Sequence, residues 1–123
     1  MDDFHAIVAS LTSWLALVSV SGELDLYTSE RLQPAIDEAT SVGADTVLLD
    51  LSGVDFVDST ALGVIVQETK RLEGRGLSLT LVTDDPRTLR VLALTGLDRI
   101  VPRHATLHDA LSHYLPEAEA ARA

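Results

Sequence analysis

The stretch Thr46-Val47-Leu48-Leu49-Asp50-Leu51-Ser52-Gly53-Val54-Asp55-Phe56-Val57-Asp58-Ser59-Thr60-Ala61-Leu62-Gly63 decides the fold. Its first six residues are almost wholly apolar, partly β-branched, and closed by Ser52-Gly53. A short run of that kind predicts a buried strand over 46–51. Asp58, Ser59 and Thr60 then stand where a helix begins. Each can accept a hydrogen bond from a first-turn backbone N–H. The expected product is a hydroxyl at the positive end of a helix, beyond the carboxyl end of a buried strand. In open α/β sheets that edge carries ligands and function.

On the carboxyl side, the spacing predicts a helix over 59–73 with Leu62, Ile65, Val66 and Thr69 on one face. That face should meet the sheet. Val64 falls on the other side beside Thr60, Gln67 and Arg71, either as an ordinary exposed valine or as part of a binding surface. Gly74-Arg75-Gly76 is a turn, not a phosphate-cradling loop, since no Gly-Lys-Ser/Thr ending follows. Leu77 to Val82 alternates apolar and polar residues, which predicts a strand with one less buried face. Asp85-Pro86 caps and starts a helix that continues through Leu89, Leu92 and Ala93. Gly96 closes it, with Leu97 packing back. Asp98 to Val101 predicts a short last strand, and Thr106 to Leu115 a last helix.

On the amino side, the apolar runs from His5 and from Trp14 flank Thr12-Ser13 and predict a β-hairpin with a tight turn. Ser21-Gly22-Glu23-Leu24-Asp25 follows, readable as a turn in which glycine supplies unusual dihedrals and Asp25 caps what comes next. Thr28 to Thr40 has Leu32, Ala35, Ile36 and Ala39 at helical spacing. Pro34 within it predicts a kink or a later start to the regular helix. Strand-like runs alternating with helical ones give one α/β domain, its mixed, mostly parallel β-sheet covered by helices. The domain should occupy 1–115, with 116–123 a frayed tail.

Composition narrows the functions. A chain of 123 residues suffices for one core. It has no cysteine, which excludes disulfides, thiolate nucleophiles and cysteine metal sites and fits a cytosolic protein. No apolar run approaches the roughly 20 residues that span a bilayer, and no cleavable signal precedes Trp14 to Val20. The net charge of −10 disfavours direct nucleic-acid binding and repels anionic membrane surfaces. It either aids solubility alone or suits a protein partner with a basic patch. His104 and His108 are four apart, but His104 precedes the helix start and no third ligand is evident, so they read as surface histidines, as does His113. Catalysis at Ser59 lacks a base, because Asp58, its neighbour in sequence, does not face it on a helix. Val57 and Ala61 also occupy the glycine positions of a nucleophile elbow.

Leu-Asp-Leu-Ser at 49–52 followed by Asp58-Ser59-Thr60-Ala61-Leu62-Gly63 resembles the STAS domain, and within it the bacterial anti-sigma factor antagonists. Gly22-Glu23-Leu24-Asp25 and the run from Val91 to Ile100 resemble the same family, so the resemblance covers about residues 15 to 115. Ala61 stands where the family usually has glycine, and the first strand is shorter and less polar than usual. The resemblance implies that Ser59 is the phosphoacceptor of a partner kinase. It implies that Asp25 and Asp58 shape the site, and that Thr60, Val64, Gln67 and Arg71 complete a docking face. The implied partners are an anti-sigma factor serine kinase and a phosphatase, in the cytoplasm. The unphosphorylated chain would bind the anti-sigma factor and so release a sigma factor. The nucleotide would belong to the kinase, leaving this chain without a cofactor and without enzymatic activity. A second reading is a STAS sensor that binds a small anionic or nucleotide ligand at the helix start.

Overall fold

The computed structural model describes residues 3–115; the expected tail at 116–123 lies outside them. Five strands form one sheet: β1 (His5–Ser10), β2 (Leu15–Leu24), β3 (Thr46–Val57), β4 (Ser78–Val82) and β5 (Arg103–His104). They lie in chain order across the sheet. β1 pairs antiparallel with β2 and the other pairs are parallel. The crossovers are α1 (Leu32–Ser41), α2 (Ser59–Gly74) and α3 (Pro86–Thr95), and α4 (Leu107–Tyr114) follows β5.

A parallel sheet built in sequential order by right-handed crossovers puts all its crossover helices on one face. The main core obeys this. Ala16, Val18 and Val20 of β2, Val47, Leu49 and Leu51 of β3, and Leu79 and Leu81 of β4 meet Ile36 of α1, Leu62 and Ile65 of α2, and Leu92 of α3. The alternate residues Leu15, Leu48 and Val82 face the other way and meet Ala110 of α4. Both faces of the central strands are therefore dry, which is why 46–51 is apolar without alternation. Each fully buried leucine or isoleucine of this kind contributes about 1.5–3 kcal/mol.

The central helix, its buried face, and the Asp85-Pro86 start and left-handed Gly96 end of α3 agree with the expectations. Five details differ. The hairpin loop is four residues, Leu11 to Trp14, with the Leu11 amide bonded to the Leu15 carbonyl. Thr28–Arg31 forms a 3-10 turn before α1 begins at Leu32. Pro34 thus falls in the first turn of α1, where an N–H has no intrahelical acceptor and its loss costs little. The polar face of β4 is not solvated: Thr80 is buried and its hydroxyl lies 2.7 Å from the Tyr114 hydroxyl of α4. Leu97–Arg99 is a 3-10 turn, so the last strand comes later, at Arg103. Finally, β3 does not stop at Ser52-Gly53 but runs on to Val57.

Candidate functional site

That outer half of β3 positions the site. Its pairing with β4 ends at Asp50, whereas its pairing with β2 continues through Glu23↔Phe56 and Leu24↔Val57. The Asp58 amide then donates to the Leu24 carbonyl at 3.1 Å. Two segments more than thirty positions apart, Gly22 to Asp25 and Asp58 to Thr60, thereby end side by side.

Asp58 is the helix cap. Its backbone is extended, and Oδ1 accepts from the Ala61 amide at 2.9 Å. The carboxylate sits at the positive end of α2, where a negative charge is favoured. Ser59 and Thr60 occupy the first turn with both side chains exposed. Ala61 is fully buried in the main core. The methyl group that replaces the family's glycine therefore points inward, away from any surface that a partner could touch.

Asp25 organises the facing segment. Its Oδ1 accepts from the Tyr27 and Thr28 amides, each at 2.9 Å. The Thr28 hydroxyl donates to the Glu23 carbonyl at 2.8 Å and accepts from the Asp25 amide at 2.9 Å. The Thr28 amide, more than any other group, holds the Asp25 carboxyl below its ordinary value; the slight desolvation works the other way. The turn and cap expected of this motif and its place beside the helix start are thus both present. Gly22 is required here. Its φ is +92°, and a Cβ would stand 2.7 Å from the Asp3 carbonyl oxygen.

The remaining site residues divide. Gln67 is exposed, and Val64 is half-buried and packs partly against the core. Arg71 turns away from solvent. Its Nη2 is 2.7 Å from Glu68 Oε1 and 2.8 Å from Asp37 Oδ1, so it ties α2 to α1. Beside the two segments lies an open hollow of about 340 Å³ lined by Glu23, Asp25, Tyr27, Arg31 and Asp55 among others. Glu23 and Asp55 were in the motifs but carried no expected role. Tyr27, 79% exposed, and Arg87, which bonds the Asp55 carbonyl at 3.0 Å, gave no signal in the sequence. Among the described residues there is no group of three His, Asp or Glu able to hold a metal ion. His104 and His113 stack with Tyr114, and α4 covers the sheet face opposite α2.

Residues 7–110 match the family model of the STAS domain. The chain belongs to the STAS family. It is 33% identical over 98 residues to the anti-sigma-F factor antagonist RsfB of Mycobacterium tuberculosis, covering 80% of each chain. The crystal structure of an anti-sigma factor antagonist from Mycobacterium paratuberculosis superposes with a TM-score of 0.79 at 33% identity, covering 91% of this chain and 94% of that one. The anti-sigma factor antagonist SpoIIAA in its unphosphorylated form shares the fold, with a TM-score of 0.71 at 21% identity over 89% and 96% of the two chains. Among the described residues no helix of this STAS domain is long and apolar enough to cross a membrane.

Proposed function

We propose that this STAS domain is a cytoplasmic anti-sigma factor antagonist switched by phosphorylation of Ser59. The observation that carries the reading is the exposed Ser59 hydroxyl directly after the Asp58 cap, in a chain whose relatives are anti-sigma factor antagonists. The unmodified chain binds an anti-sigma factor that is also a serine kinase, and the sigma factor is released. Thr60, Val64 and Gln67 of α2, with Asp25 and Asp58 beside them, present the docking face; Arg71 supports it from beneath. The kinase transfers the γ-phosphoryl group of its own ATP to Ser59 Oγ. ADP leaves, and the hydroxyl proton passes to a base of the kinase. A phosphatase hydrolyses the phosphoserine and restores the first state. The chain needs no cofactor and performs no catalysis of its own.

Phosphorylation adds roughly −1.5 to −2 charges beside Asp58 and near Asp25. An interface at that point must desolvate the new charge or set it against carboxylates. A loss of about 3 kcal/mol lowers affinity roughly a hundredfold. The sensor reading fares worse, because the hollow beside the site is lined by Asp3, Glu23, Asp25 and Asp55 against the single cation Arg31. Such a surface repels an anion and suits a basic partner. Calorimetry with the anti-sigma kinase tests the reading. Ser59→Ala should bind within a few-fold of wild type, Ser59→Glu more weakly, and the phosphorylated chain weakest. Equal affinity of the phosphorylated and unmodified forms would remove Ser59 as the switch.

A further inference from the structure

We propose that Arg87 receives the phosphate once Ser59 carries one, an inference that rests on the reading of Ser59 above. The phosphorylated state is then held from within the chain as well as excluded from the interface.

Arg87 is already anchored to the segment that leads into Ser59. From the first turn of α3 it reaches across 32 positions, and its Nη2 donates to the Asp55 carbonyl at 3.0 Å. Asp55 stands four positions before Ser59. Four residues of fully extended chain span at most about 14 Å, and the turn into α2 at Asp58 shortens this. A swing of the long arginine side chain covers the gap with no change of backbone.

Its present bonds are slack. The side chain is 72% exposed, and its contacts with the Asp85 carboxylate are 3.4 Å from both Nε and Nη2. Strong guanidinium–carboxylate bonds are about 2.7–2.9 Å. A phosphate offers two acceptor oxygens in the same fork geometry and more charge. Leaving Asp85 does not undo the start of α3, because the Arg87 backbone amide keeps its own bond to Asp85 Oδ1 at 3.1 Å.

The phosphate in turn requires a cation. It arrives among Asp25, Asp55 and Asp58, and the Ala61 amide is already taken by Asp58. Helix geometry leaves only the Ser59 and Thr60 amides as first-turn donors. Other arginines are committed elsewhere. Arg71 is held by Glu68 and Asp37, twelve residues or about 18 Å along α2. Arg103 donates to the Thr83 carbonyl, and Arg31 lies over the Phe4 ring.

The test is a full-length chain with phosphoserine placed at position 59 by genetic-code expansion, in wild-type, Arg87→Gln and Arg87→Lys backgrounds. The phosphorus-31 resonance reports the second ionisation of the phosphate. A facing cation favours the dianion, so Arg87→Gln should raise the titration midpoint by about half a pH unit or more, with Arg87→Lys in between. The phosphorylated Arg87→Gln chain should also melt below phosphorylated wild type, while the two unmodified chains melt alike. Coincident titration curves would overturn the proposal. So would an equal loss of stability with and without the phosphate, which would make Arg87 a brace between α3 and β3. Failure of Ser59 as the switch appears separately, as unchanged partner affinity on phosphorylation, and leaves the phosphorus titration readable.

Discussion

Replacing Arg71 with methionine keeps much of the side chain's bulk and removes its charge. The Glu68 side chain is 6% exposed, and Arg71 meets it with two bonds, Nη2 to Oε1 at 2.7 Å and Nε to Oε2 at 3.1 Å. Those bonds, and then the Asp37 contact, hold the guanidinium even more firmly protonated than usual, with burial opposing them. Removing one partner of a fully buried ion pair costs about 3–5 kcal/mol. Here Arg71 is 29% and Asp37 47% exposed, so water relieves part of that, and about 2–3 kcal/mol is the appropriate figure. For a domain of this size that is a fall in Tm of roughly 10 °C. The double variant Glu68→Leu/Arg71→Met removes both charges and should recover most of the loss, giving a large coupling energy. Thermal and urea denaturation followed by circular dichroism measure all three. Below the transition, partner affinity of Arg71→Met should stay within about twofold of wild type. A single variant as stable as wild type would refute the reasoning, since Glu68 would then need no counter-ion.

Leu62→Asp puts a carboxylate at a position 2% exposed in the main core, where an unpaired charge is costly. It should lose at least about 3 kcal/mol or fail to fold, as read by its melting curve; an unchanged Tm would mean that α2 is turned the other way. Acid should loosen the Gly22 to Thr28 segment first. The folded-state Asp25 carboxyl is held below its ordinary value by the Thr28 amide, so its contribution is present above the ordinary value and is lost as pH falls through the depressed one. Amide exchange at Tyr27 and Thr28 should rise over that range and be pH-independent in Asp25→Asn, beyond the intrinsic exchange rate.

The elements legible from sequence were those whose pattern and caps agree: α2 with Asp58, α3 with Asp85-Pro86 and Gly96, and the apolar half of β3. The misread ones depend on distant contacts. Thr80 looks solvated until α4, some thirty positions later, covers it and supplies the Tyr114 hydroxyl. Ser52 to Val57 looks like a loop because it is polar and contains glycine, and only the continuing β2 makes it a strand. Arg71 has the helical position of a surface residue, but Asp37 of α1 and Glu68 draw it inward. Ser59, Asp58 and Asp25 were visible as motif residues. Arg87 was not, because a first-turn arginine has no local pattern that distinguishes it.

The shared edge of β2 and β3 has a consequence for exchanging parts between relatives. Register shifts after Ser19 and after Gly22 let the two strands arrive together at Leu24 and Val57. Removing one residue from 52–57 would reverse every outer side chain from face to face and turn Ser59 by about 100° around α2. The loop around Gly43 and the turn at Gly76, by contrast, lie outside that ladder and can change length. Residues 19–28 and 52–62 are therefore a single cassette written in two places. A chimera that carries over only one of them should fold with its hydroxyl aimed wrongly, and one that carries both should take its partner preference with it.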